Sequence, residues 1–133
     1  MIPLLLLAAI AASPEPPLAP LLERIRIAVP DAREVHDLQI CPARRISRDG
    51  RRFDTFVSLA RPRVPRQYYI AKWRDGRVID LSLYPLTVAD AGPGSSFLDQ
   101  IAMRAMERQF EGCRWVSADE LAAGWATLTG ERG

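Results

Sequence analysis

Two Asp-Gly dipeptides, Asp49-Gly50 and Asp75-Gly76, constrain the middle of the chain more than any other feature of the sequence. A two-residue hairpin turn needs positive φ at both central positions, and Asp-Gly is one of the few pairs that tolerates this. Reading outward from Asp49-Gly50 puts Ile46 opposite Phe53 and Ile40 opposite Leu59, with Arg45 across from Asp54 on the other face as an opposite-charge pair. Reading outward from Asp75-Gly76 puts Tyr68 and Ile70 opposite Leu83 and Leu81, which gathers apolar side chains on one face. The expectation is two hairpins, about residues 37–60 and 66–84, joined through Arg61-Pro62-Arg63-Val64-Pro65 into a four-stranded antiparallel meander. Pro42 has no N–H to give to a ladder, so the first strand is expected at an edge or to carry a bulge.

Helical signals flank the meander. Leu18, Leu21, Leu22, Ile25 and Val29 recur at helical spacing between Pro20, suited to a first turn, and Pro30, which ends the run, although Ile25, Ile27 and Val29 also alternate as a strand would. Ser96 with Asp99 resembles a capping box, and Leu98, Ile101, Ala102, Ala105 and Met106 form an apolar stripe before Gly112, a left-handed terminator. Ser117 with Glu120 repeats the capping signal ahead of Leu121, Ala122, Trp125 and Leu128. These patterns predict an α+β domain over residues 21–130, a sheet packed against two or three helices as one layer of each.

The start of the chain points out of the cytosol. Residues 1–11 form an uncharged apolar run ending in Ala9-Ile10-Ala11, the form of a secretory leader and its cleavage site, and a buried N-terminal helix is the alternative. The run is shorter than the roughly 20 residues needed to span a bilayer. Residues 12–20 hold Pro14, Pro16, Pro17 and Pro20, a proline-rich tether. Cys41 and Cys113 are the only cysteines, and in an exported chain an even pair is expected to form a disulfide, two buried thiols being the alternative. A zinc site is disfavoured, since the chain has no C-x-x-C and only one histidine, His36.

No residue pattern calls for a cofactor. Gly92-Pro93-Gly94 has a proline where a phosphate loop needs backbone donors, and any Cys-His or Ser-His chemistry would have to use His36, which has no motif around it. Charge is the stronger signal. Between Arg44 and Arg77 lie ten arginines and Lys72 against three aspartates, a local +8 in a chain of net +2, so the remainder carries −6. A basic end of this kind can meet an anionic partner, or can simply solvate the hairpin tips. In an exported protein, anionic lipid, glycan or an acidic protein face comes ahead of nucleic acid. Tyr69 and Trp73 share a face with Val78 and Asp80, opposite Ile79, Leu81 and Leu83, so both faces are partly apolar. Either a helix covers the second face or it is an exposed aromatic patch. The candidate binding surface is therefore Tyr69 and Trp73 with Arg44, Arg48, Arg51 and Arg52.

Asp75-Gly76-Arg77-Val78-Ile79-Asp80-Leu81, followed after a loop by Leu98-Asp99, Ala102, Ala105, Met106 and Phe110, resembles the strand-turn-strand-helix core of TonB-type C-terminal domains over about residues 66–110. The resemblance implies a periplasmic module that recruits an extended peptide by strand addition at a sheet edge. No contact residue of that family is carried over. The expected function is a non-enzymatic, periplasmic or secreted binding module whose partner is an envelope protein or an anionic surface. The alternatives are a small enzyme using His36 with Asp37 or another carboxylate, or a structural protein whose basic hairpins contact anionic lipid or glycan.

Overall fold

The computed structural model describes residues 16–87 and 97–130. The expected leader, the tether up to residue 15, and the Gly92-Pro93-Gly94 loop with Ser96 lie outside them.

Helix α1 runs Leu18–Ala28 and buries Leu21, Leu22 and Ile25. Its first turn takes in Leu18, Ala19 and Pro20, as the helical spacing from Leu18 and the first-turn place of Pro20 predict, although the expected tether of residues 12–20 also covers them; Pro16 is itself buried. A single 3₁₀ turn, Ala32–Glu34, leads into strand β1, Asp37–Ile40. Strands β2 (Arg52–Arg61), β3 (Val64–Arg74) and β4 (Arg77–Thr87) follow, then helix α2 (Phe97–Gln109), a short strand β5 (Arg114–Val116) and helix α3 (Ala118–Thr129). The sheet is antiparallel in the order β4-β3-β2-β1-β5.

The expected α+β class and antiparallel meander hold, with three corrections. First, β5 adds a fifth strand against β1, pairing Gln39 with Trp115, so β1 is interior and not an edge. Pro42 lies just beyond it.

Second, the Asp49-Gly50 hairpin is not a two-residue hairpin. Regular pairing stops at Ile40, which faces Val57 where Leu59 was expected, and Leu59 faces Leu38. That offset of two residues leaves every side chain on its original face. Beyond Cys41 the chain leaves the ladder, with Arg45 at φ 53 and a lone bridge of Arg44 with Asp54. It turns at Ser47–Gly50, where the Gly50 N–H donates to the Ser47 carbonyl at 2.9 Å. Asp49 does not take the positive φ that the two-residue turn requires; Gly50 alone does, at 72.

Third, the β3–β4 hairpin begins as expected, with Asp75 and Gly76 at φ 51 and 79, but Ile79 is an extra residue between the Trp73–Val78 and Lys72–Asp80 pairs. A bulge of one residue reverses the facing of everything beyond it. Leu81 thus lies across from Ala71 and Leu83 across from Tyr69, where Ile70 and Tyr68 were expected. The apolar side chains decide the outcome, because this facing packs Leu81 against the main core.

The sheet is covered on both faces, so the domain has three layers where two were expected. The inner face, with Leu38, Ile40, Val57, Leu59, Tyr69, Ala71 and Trp73, is buried by α1 and α3. The two helices meet at Gly124, where an added Cβ would lie 2.5 Å from Leu22 Cδ1. The predicted Ser117–Glu120 capping box starts α3: the Glu120 N–H donates to Ser117 Oγ at 3.1 Å.

The outer face carries a separate cluster, in which Tyr68 and Phe56 meet Met103 and Met106 of α2, together with Phe110. The stripe expected on α2 holds only in part: Met106 is buried, but Leu98 is 74% exposed and Ile101 44%, and Met103 joins Met106 in the cluster. Cys41 and Cys113 form the expected disulfide inside this cluster, tying the end of β1 to the turn after α2. Gln39 reinforces the junction, its Nε2 donating to the Phe110 carbonyl at 2.9 Å and to the Cys113 carbonyl at 3.3 Å.

Two predictions follow from this packing. Replacing both cysteines by serine should lower stability by about 4 kcal/mol in the chain-entropy view, and amide exchange in α2 should accelerate before that of β2 and β3. Uniform acceleration across the domain would contradict the two-cluster description. Gly124→Ala should lower the melting temperature, because overpacking costs about 1–3 kcal/mol whereas the alanine gains only about 1 in helix propensity.

Candidate functional site

Three neighbouring strands bring three arginines into one row. Arg52 pairs with Arg74 across β2 and β3, and Arg74 pairs with Arg77 across the Asp75-Gly76 turn. Directly opposed residues project from the same face. Their chain neighbours Phe53, Trp73 and Val78 face inward, so the three guanidinium groups stand side by side on the outer face, all exposed. Among the described residues none of the three side chains forms an ion pair. The next row toward the middle of the sheet reads Asp54, Lys72, Asp80, alternating in sign. Opposite charges in cross-strand register stabilise a sheet and like charges destabilise it. The arginine row therefore stands out against the row beside it.

The two tips that bear this row are joined. The Asp75 N–H donates to the Arg51 carbonyl at 2.9 Å, and the Arg51 guanidinium bonds the Asp75 carboxylate. Within the first tip, the Ser47 hydroxyl and the Arg51 N–H both donate to Asp49 Oδ1, at 2.6 and 3.0 Å. The Ser47 hydrogen bond, helped by the Arg51 amide and the charge of Arg52, holds the Asp49 carboxyl below its ordinary value of 3.8.

The residues singled out from sequence separate into two groups. Tyr69 and Trp73 are not a binding surface. Both are buried in the main core, where the Trp73 indole N–H donates to Thr55 Oγ1 at 3.0 Å and its ring stacks on Phe53. They face α1 and α3, the covered-face alternative raised from sequence. The arginines are exposed, but their roles differ. Arg44 lies 4.5 Å over the Phe56 ring and donates to Gln109 Oε1 at 3.3 Å, so it fastens α2 to the sheet. Arg51 is the clasp to Asp75. Arg48 and Arg52 remain exposed at the tip. Arg74 and Arg77, not singled out before, complete the row; the signal for them lay in the Asp75-Gly76 register. His36 is exposed just ahead of β1, its N–H donating to the Ala60 carbonyl at 3.1 Å.

Among the described residues, no three His, Cys, Asp or Glu side chains converge on a point that could hold a metal ion. Comparison with protein-family models, curated proteins and solved structures finds no match to this chain. Chemically, the row offers planar, permanently charged forks carried on neighbouring strands whose backbones lie about 4.8 Å apart. Such forks fit phosphate and carboxylate oxygens in bidentate fashion.

If the row is maintained against its own repulsion, Arg74→Glu should raise stability by roughly 0.2–1 kcal/mol, more at low salt than at high. A fall in melting temperature at low salt would show the row to be stabilising as it stands. The depressed Asp49 carboxyl gives a second expectation. Its contribution to the first tip is complete above pH 3.8 and is lost as pH falls through its lower folded value. The Arg51 amide resonance, followed by NMR down an acid titration, should hold its position above pH 3.8 and shift below it.

Proposed function

We propose that the protein is an exported, non-enzymatic binding module that docks on an anionic surface of the cell envelope through the arginine end of its sheet. The observation that carries this reading is the Arg52–Arg74–Arg77 row, three like charges in direct register on tips clasped together by Arg51 and Asp75. Hairpin tips tied together in this way have part of their backbone ordering cost met before any ligand arrives, which favours binding. Export is supported by the Cys41–Cys113 disulfide and by the apolar leader read from the sequence. Among the described residues no helix is long and apolar enough to cross a membrane, so contact through exposed charge is the mode this part of the chain offers.

A second reading, strand addition in the manner implied by the TonB-like resemblance, draws support from β4. This strand of 11 residues has no strand beyond it among the described residues. Its turn end is obstructed, because Arg24 Nε donates to the Val78 carbonyl at 3.0 Å and Ile79 bulges. A recruited peptide would pair beyond Asp80.

Co-sedimentation with phosphatidylglycerol-containing vesicles tests the first reading. The protein should bind these and not phosphatidylcholine vesicles, and about 0.5 M salt should release it, since exposed charge is screened within a few ångströms at that strength. The triple variant Arg52→Gln, Arg74→Gln, Arg77→Gln should bind at least ten-fold more weakly. Salt-insensitive binding, or a triple variant that binds as well as the parent, refutes it.

A further inference from the structure

The outer face holds a second feature, at the far end of β3 from the arginine row. One ladder row places Tyr68, Ser58, Gln39 and Trp115 side by side across β3, β2, β1 and β5. The end of α2 and the turn after it stand beside this row and leave an open cleft of about 360 Å³. Trp115 forms one wall and is 56% exposed, whereas Trp73 and Trp125 are 1% and 5% exposed. A large indole left in water on a sheet face that elsewhere collects a methionine-rich cover is a recognition feature more than a packing one.

The charges in the cleft do not cancel. The Arg66 guanidinium is held by Asp37 Oδ2 at 2.6 Å and donates to Ser58 Oγ at 2.7 Å, and in that position it lies 5.3 Å from the Trp115 ring centre. Asp37 offsets its charge. The other charged groups lining the cleft are Glu107 and Glu111, one turn apart, both exposed and without an ion pair among the described residues. The field of Glu107 reaches into the cleft. Burial pushes the Tyr68 phenol up, the nearby Arg66 opposes this, and Glu107 adds to it. The cleft therefore has a net negative rim and an indole that already accepts a guanidinium on one side.

We propose that this cleft receives an organic cation, the guanidinium or ammonium head of a basic side chain on a partner polypeptide, against the open side of Trp115 with Glu107 and Glu111 balancing its charge. Tryptophan is the aromatic side chain that attracts cations most strongly, and a carboxylate pair beside it rejects anions. The site is separate from the arginine row in place and opposite to it in sign, so it does not depend on the anionic-surface reading.

The test titrates the intact protein with N-acetyl-arginine amide and with its uncharged isostere, N-acetyl-citrulline amide. Binding is followed by tryptophan emission and by the Trp115 indole N–H in NMR spectra. With the other two tryptophans buried, the emission change at the exposed ring reports this site. Arginine amide should saturate at a concentration at least ten-fold below that of citrulline amide. Glu107→Gln with Glu111→Gln should raise the half-saturation point about ten-fold without shifting the melting temperature, and Trp115→Leu, followed by the backbone amides of Tyr68 and Gly112 in NMR spectra, should raise it at least as much. Equal response to the two amides, an unaffected double glutamine variant, or saturation by a neutral disaccharide such as chitobiose in place of arginine amide overturns the proposal. The triple arginine-to-glutamine variant should give the parental titration, so this proposal and the vesicle-binding reading fail separately.

Discussion

Trp73 lies on the inner sheet face, one row in from the hairpin tips, with its indole N–H satisfied by Thr55 and its ring against Phe53, on the face that α1 and α3 cover. Burial of this face sets the rest of the arrangement. Fully burying a large apolar side chain is worth about 1.5–3 kcal/mol, so a face holding six of them, besides Ala71, outweighs any single turn preference. It accounts for the bulge at Ile79, which brings Leu81 to the side where cover exists. It also fixes the opposite side of the sheet by exclusion. Residues alternating with the core, from Arg66 and Tyr68 through Lys72 to Arg74, must face outward, and so both candidate sites stand on the same outer surface with α2 between them.

Much of this was legible in the residues alone, where local chemistry and tertiary packing agree. The Asp75-Gly76 turn, the Ser117–Glu120 box, the buried stripe of α1 and the cysteine pairing were each specified by a short-range rule or a compositional one. Most of the misses share a cause, which is that a distant contact overrode a neutral local signal; at Asp49-Gly50 a strong local signal failed instead, where Ser47 and the Arg51 amide bond the Asp49 carboxylate in a longer turn. Nothing near Ile79 marks it as the residue to be skipped. Arg114-Trp115-Val116 is too short to show a period, and becomes a strand because β1 offers it an open edge. On α2, Leu98 and Ile101 are as apolar as Met103 and Met106. The disulfide at Cys113 and the ring of Phe110 settle which side of the helix turns inward. Of the candidate site, the arginine excess was visible, but not which arginines are neighbours, since that requires the register. The placement of Tyr69 and Trp73 needed knowledge of where the covering helices lie.

The outer face gathers opposite characters at its two ends. At the hairpin tips three guanidinium groups are aligned with no ion pair of their own among the described residues, while at the other end of β3 a guanidinium is neutralised and two carboxylates are left over. A sheet selected only for stability would interleave these charges, as the Asp54–Lys72–Asp80 row does. Segregation along one strand gives the outer face an electrostatic polarity that the interleaved row lacks.

The cross-link between Cys41 and Cys113 closes a ring around 72 residues of sequence, and the strands on either side of it, β1 and β5, are hydrogen-bonded neighbours. A tensile load applied at the two chain ends would enter through α1 and β1, cross the sulfur bridge, and leave by β5 and α3. The arginine tips, β2 to β4 and α2 fall on a mechanical bypass. Pulling could strip the inner-face helices away, yet the looped segment carrying the arginine row would bear none of the tension while that one covalent bond lasts.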